Sequence, residues 1–187
     1  MLFALGLLLF FAVHSLVFIA PQLKPKLVGR LGAAGWKGSY ALIALLGLAL
    51  MVLGYGQLQA LSPVLYHPPL WLRPLVSLMM LASMIALVAS LIPSAIGQRL
   101  KHPQLNAVKF WALAHLLASG KLVALVLFVL FLIWAVLLRI HYKRSGKSAA
   151  EKRTFGRNDY LVLVLGFGLY GAWVFFLHAW LIGVPLH

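Results

Sequence analysis

The chain alternates between long apolar stretches and short polar, basic ones. Each long stretch approaches the roughly 20 apolar residues that a helix needs to cross a bilayer. Six spans can be drawn. The first covers Leu2–Ala20 and stops at Pro21. The loop PQLKPKLVGRLGAAGWKG leads to the second, Tyr40–Leu58. The third covers Leu70–Ile92, and Pro93 ends it. A polar connector, SAIGQRLKHP, follows, and His102–Pro103 marks entry into the fourth span, Gln104–Ser119. That span is short and carries Lys109 and His115. A reading with five spans lays it in the interface instead. Ser119–Gly120 is a helix-ending signal. The fifth span is Leu122–Ile140, and the very short turn before it predicts that spans four and five pack antiparallel. A basic loop then leads to the sixth, Tyr160–Val184.

The basic residues follow the same alternation. The first loop holds Lys24, Lys26, Arg30 and Lys37; the third holds Arg99 and Lys101. The fifth holds Arg139, Lys143, Arg144, Lys147, Lys152, Arg153 and Arg157. The intervening loops carry only Arg73 and Lys121. Lys and Arg accumulate on the cytoplasmic side of membrane proteins. The pattern predicts an all-α, polytopic transmembrane bundle of about six spans, both termini on the outer side, forming one domain over residues 1–187. The N-terminal stretch lacks a positive segment ahead of its apolar run, so it reads as a retained first span and not as a cleaved signal.

Composition agrees. The chain of 187 residues is 64% hydrophobic and 10% charged, with a mean hydropathy of +1.01. No water-soluble domain hides that much apolar surface, so the lipid bilayer is the expected partner. The net charge of +14 reflects topology and attraction to anionic lipid. No basic stretch lies on a module that would fold in water, so no nucleic-acid partner is expected. There are no cysteines, which excludes disulfides, thiolate catalysis and iron–sulfur clusters. The only acids are Glu151 and Asp159, both in or beside the basic loop. Paired-carboxylate catalysis, a Ser-His-Asp triad and a carboxylate metal cage at membrane depth are therefore excluded. No glycine-rich phosphate loop is present.

Histidine is the strong ligand type that remains, with Met a weaker second. His14 (FFAVHSLVF), His115 (FWALAHLLASG) and His178 (WVFFLHAWLI) lie inside apolar stretches. Ionisable groups at membrane depth raise a functional question by default, and imidazoles on separate helices can meet on a metal or haem iron. His115 leads. Trp111 lies one turn before it and could stack on a flat macrocycle, for which the small Ala112 leaves room. Each histidine has a second reading, a hydrogen bond across helices. For His178 the Gly168–Ala172 small-residue pattern and its place near a span end favour that second reading. His67, His102, His141 and His187 fall at span ends or in loops and read as interfacial. Counted at about 1.5 Å per residue from span centres, His14 and His115 differ in depth by roughly 9 Å. Two ligands on one iron would need helix tilt or sliding to close that gap, a tilt of about 20° being ordinary, whereas His178 lies nearer to His115 in depth. Arg73 and Lys121, if near a haem, could pair with its propionates; otherwise they snorkel to the interface.

Several blocks match a known family: FFAVHS (10–15), GWKGSYALIALLG (35–47), GYG (54–56), HPQLNAVKFWALAHLLASG (102–120) and FLIWAVLLRI (131–140). In them the chain resembles the NnrU family of bacterial membrane proteins, whose plant relative is 15-cis-zeta-carotene isomerase. The resemblance covers nearly the whole chain, and VKFWALAH is its most specific segment. It implies a multi-pass protein of the bacterial inner membrane, linked to denitrification through the production of active nitric oxide and nitrite reduction systems. Components of those reductases would then be partners. The plant relative implies haem b as cofactor and a carotenoid, an apolar polyene, as substrate of a cis–trans isomerisation. Its ligand histidines fall on His14 and His115. Its cysteine one turn before the second histidine is Ala112 here, so an exchange of cysteine for histidine on iron does not carry over.

Overall fold

In the computed structural model, which describes residues 1–145 and 153–183, the chain is helical almost throughout. Lys147, Glu151, Lys152, Val184 and His187 lie outside the described residues. Among the described residues there is no strand, only one isolated antiparallel bridge between Val64 and Lys121. The chain divides into two compact units, Met1–Ser62 and Pro63–His187.

The first unit is a helical hairpin. Helix α1 (Leu2–Ile19) is the expected first span, and α2 (Leu23–Gln59) packs along it. The helices approach closely because α2 is small at the contact. A methyl group on Gly47 would lie 2.8 Å from the Phe10 amide nitrogen, and one on Gly54 would collide with the Phe3 backbone. Small residues at helix crossings are how membrane helices gain packing contact where hydrophobicity offers no drive. Helix α2 corrects the sequence reading, because residues 23–39, expected as loop, are helical. Lys24, Lys26 and Arg30 sit on good helix-forming stems, and Pro25 falls in the first turn, where its missing N–H costs nothing. The break is confined to Gly32, whose φ of 73° only glycine adopts readily.

The second unit begins with an extended stretch and a single 3₁₀ turn at Leu70–Leu72. Helix α3 (Arg73–Ala89) follows, then α4 (Ala95–Leu100), α5 (Pro103–Ala118), α6 (Leu122–Arg144) and α7 (Arg157–Ala172). A wide π-type turn, Trp173–Leu177, links α7 to α8 (His178–Ile182). Helix α3 packs between α7 and α5, and α5 packs between α3 and α6. The connector after Pro93 was expected as a plain polar link. It contains α4, because Ser94 caps it by accepting from the Gly97 N–H at 3.1 Å.

Among the described residues, five helices are long and apolar enough to cross a membrane: α1, α2, Leu70–Ala89, α6 and Arg157–Ile182. Helix α5, the predicted fourth span, has 16 residues and a length of about 24 Å. It lies between two neighbours instead of along a surface: Ala112 and Ala114 are fully buried, and Ser83 on α3 donates to the Ala107 carbonyl at 2.8 Å. Large apolar side chains are exposed along the other helices, including Leu42, Leu78, Val164 and Phe176. That is the surface expected where lipid is the solvent.

Two polar staples hold the second unit's ends. At one end Leu65 N–H donates to Gly120 O at 2.8 Å, and Leu122 N–H to Pro63 O at 2.9 Å. The Tyr66 hydroxyl donates to the Leu116 carbonyl and to that of Ser119. A methyl group at Gly120 would overlap the Tyr66 carbonyl oxygen, so the turn between α5 and α6 requires glycine. At the other end Asp159 is buried. Its Oδ1 accepts from Ile96 N–H at 2.7 Å and its Oδ2 from Gly156 N–H at 3.0 Å. One carboxylate thereby satisfies amides at the starts of two helices.

Candidate functional site

Helix α5 positions the leading candidate. His115 Nδ1–H donates to the Trp111 carbonyl at 2.8 Å. Its ring stacks on Phe128 of α6, centroids 4.4 Å apart and planes 26° apart. Trp111 meets Phe128 and Phe131 edge-on, at 4.8 and 5.2 Å. On its other side Trp111 packs on a cluster of Met80, Met84 and Ala114, which Trp173 of the π turn also touches. The imidazole is thus fixed in plane and in tautomer by residues of two helices. The small Ala112 does not open space beside it, being fully buried in packing.

His178 follows the π turn directly and is buried. It stands close enough to His115 for a charge on one to be felt by the other. The second unit therefore holds His115, Trp111 and His178 together. Arg73, exposed, starts α3, and Lys121 directly precedes α6 at the end where Tyr66 closes onto α5. His14 belongs to the first unit. Its Nδ1–H donates to the Phe10 carbonyl at 2.8 Å, its ring stacks on Phe10 at 4.0 Å and 22°, and Tyr40 of α2 meets it at 5.3 Å.

This donor chemistry fits a haem iron. An imidazole whose Nδ1–H is tied to a backbone carbonyl presents Nε2 as its basic nitrogen, the arrangement that orients ligating histidines. Both His14 and His115 have it. Among the described residues no three His, Cys, Asp or Glu side chains gather into a metal cluster. A haem needs only one or two protein ligands, whereas a structural zinc site needs four.

Sequence reasoning missed three features here. Met80 and Met84 were not singled out within span three, yet they pack against Trp111. The π turn leaves no trace in WVFFL, which is apolar throughout. Asp159 was read only as lying in or beside the basic loop, although an Asp three residues after a Gly and just before an apolar run is a signal for a helix start.

The comparisons with curated proteins and with solved structures returned no match. The family model described as NnrU protein matches residues 2–186. A match over nearly the whole length shows that the chain belongs to the NnrU family.

Proposed function

We propose that this NnrU-family membrane protein binds haem b through His14 and His115 in the bacterial inner membrane. In this reading it supports denitrification by helping to produce active nitric oxide and nitrite reductases, whose components are its partners. One observation carries the proposal: both histidines make the same bond from Nδ1–H to the carbonyl four residues back. When bound, haem supplies a redox-active iron in an apolar site, chemistry the protein's own groups lack. The chain's part is to hold and shield it. The Phe10 and Trp111 carbonyls set the tautomers, Phe128 fixes the His115 ring plane, and Met80, Met84 and Trp173 exclude water around Trp111. Arg73 and Lys121 are the cations proposed for the propionates.

The test is an absorption spectrum of the purified protein. A Soret band is expected, and His14→Ala and His115→Ala should each abolish or shift it. A band unchanged in either variant removes that residue from the ligand set. If His178→Ala abolishes the band while His14→Ala leaves it intact, the pair lies within the second unit.

A second reading is supported by the lining of the His115 site. Trp111, Phe128 and Phe131 offer flat apolar faces and no acid or base. That suits a haem-dependent cis–trans isomerase acting on an apolar polyene such as a carotenoid, for which no proton transfer is needed. Turnover of a cis-carotenoid by the reduced protein supports it. Absence of turnover, with loss of reductase activity in cells lacking the protein, supports the denitrification role.

A further inference from the structure

The end of the second unit that carries the basic loops has a feature unrelated to the histidine site. Lys109 on α5 and Arg139 on α6 are both half-buried and within electrostatic range of each other across the seam between these helices. Lys101 and His102, at the entrance to α5, complete the cluster. The His102 ring lies parallel to that of Tyr142 on α6, with 5.3 Å between centroids and 17° between planes, which closes one side of the seam. Burial first, and then Arg139, Lys109 and Lys101, hold the His102 imidazole below its ordinary range.

Among the described residues no acid answers these charges. Asp159 is the one carboxylate among the described residues, and the backbone amides of Ile96 and Gly156 engage both its oxygens. Half-buried like charges without a counter-ion are unfavourable, and an anion between them relieves the cost. Val136, Leu137 and Ile140, beside Arg139, are exposed apolar side chains. A ligand that brings an anionic head and an apolar tail satisfies both surfaces together.

We propose that the α5–α6 seam is a binding site for the phosphate headgroup of an anionic phospholipid. Lys109 and Arg139 hold the phosphate, Lys101 stands at the rim, and the acyl chains run along Val136, Leu137 and Ile140. Basic pockets between membrane helices on the cytoplasmic side are suited to such headgroups. Charge-assisted bonds from Arg and Lys to phosphate are the strong kind.

The experiment is native mass spectrometry of the full chain, titrated with phosphatidylglycerol or phosphatidylcholine. Preferential retention of phosphatidylglycerol is expected. Lys109→Gln with Arg139→Gln should weaken that retention about tenfold. A charge-matched control, Lys24→Gln with Lys26→Gln, should leave it unchanged, and Lys109→Arg with Arg139→Lys should preserve it. Equal loss in the seam and control variants, or no preference between the lipids, overturns the proposal. Displacement of phosphatidylglycerol by millimolar inorganic phosphate overturns the lipid assignment in favour of a free anion. A measurement on the unaltered protein does not depend on variant folding: phosphatidylglycerol should raise the titration midpoint of the His102 resonance, assigned with His102→Gln. A midpoint that does not move overturns the site.

Discussion

His14 and His115 make the same bond to their own helix, yet they are held differently. His14 rests on Phe10, one turn back, with Tyr40 at its edge, and all three are only partly buried. His115 stacks on Phe128, a buried residue of a different helix, and is flanked by Ala112 and Ala114, which have no exposure at all. The first imidazole is oriented by local geometry, the second by tertiary packing. A locally oriented ligand can adjust to its partner, whereas a packed one sets where that partner must be.

The strongest attack on this contrast is Phe128→Ala against Phe10→Ala. Emptying the Phe128 position should cost about 3 kcal/mol, as buried Phe-to-Ala changes do, and broaden any Soret band. Phe10→Ala should cost about 1 kcal/mol, since that ring is only partly buried. Unfolding in mixed micelles with rising dodecyl sulfate reads both, and equal costs would erase the distinction. Next comes close approach. Gly120→Ala should destabilise by about 2 kcal/mol through the Tyr66 carbonyl, as overpacking does, while Gly168→Ala, with open space around it, should be nearly neutral. The same unfolding assay distinguishes them. Gly54→Ala should act on the first unit as Gly120→Ala acts on the second, separating α1 from α2.

A smaller effect is expected at Ser83. Its bond to Ala107 ties α5 to α3, and Ser83→Ala should lower stability by about 0.6 kcal/mol, the usual worth of a hydrogen bond between membrane helices. Smallest is the pH dependence of His102. Its pKa is lowered in the folded protein, so the unfolded chain takes up its proton first as pH falls. The stability it contributes is complete above the unfolded value of about 6.5 and declines below it. His102→Gln should flatten that part of the stability–pH curve.

Much of this architecture was legible in the sequence. Leu2–Ala20 became α1 to within a residue, and the Ser119–Gly120 signal ended α5 at Ala118. These elements are set by local chemistry: apolar runs, prolines, a glycine turn. The hairpin between α5 and α6 followed from the brevity of that turn. What escaped was set by contacts between distant residues. The basic stretch before Tyr40 looked like a loop because its charges interrupt hydropathy, although charge does not oppose helix formation. Gly47 and Gly54 were visible as part of family-like blocks, but their purpose depends on Phe10 and Phe3, some 37 and 51 residues away. For the histidines, the sequence identified which ones lie in apolar surroundings. It did not reveal that His115 would be pressed against Phe128, because that pairing depends on the register of α6 against α5.

The π turn ahead of His178 has a consequence for how this helix can change. A turn of this kind holds one residue more than an α-helical turn. Regularising it without shortening the chain would rotate everything downstream by about 100°, the step of one residue, and carry the imidazole out of its buried position. Removing Phe175 while the turn regularises would keep the imidazole where it is. The spare residue is therefore a phase setting, and a single-residue deletion in this stretch should be better tolerated than one a turn earlier.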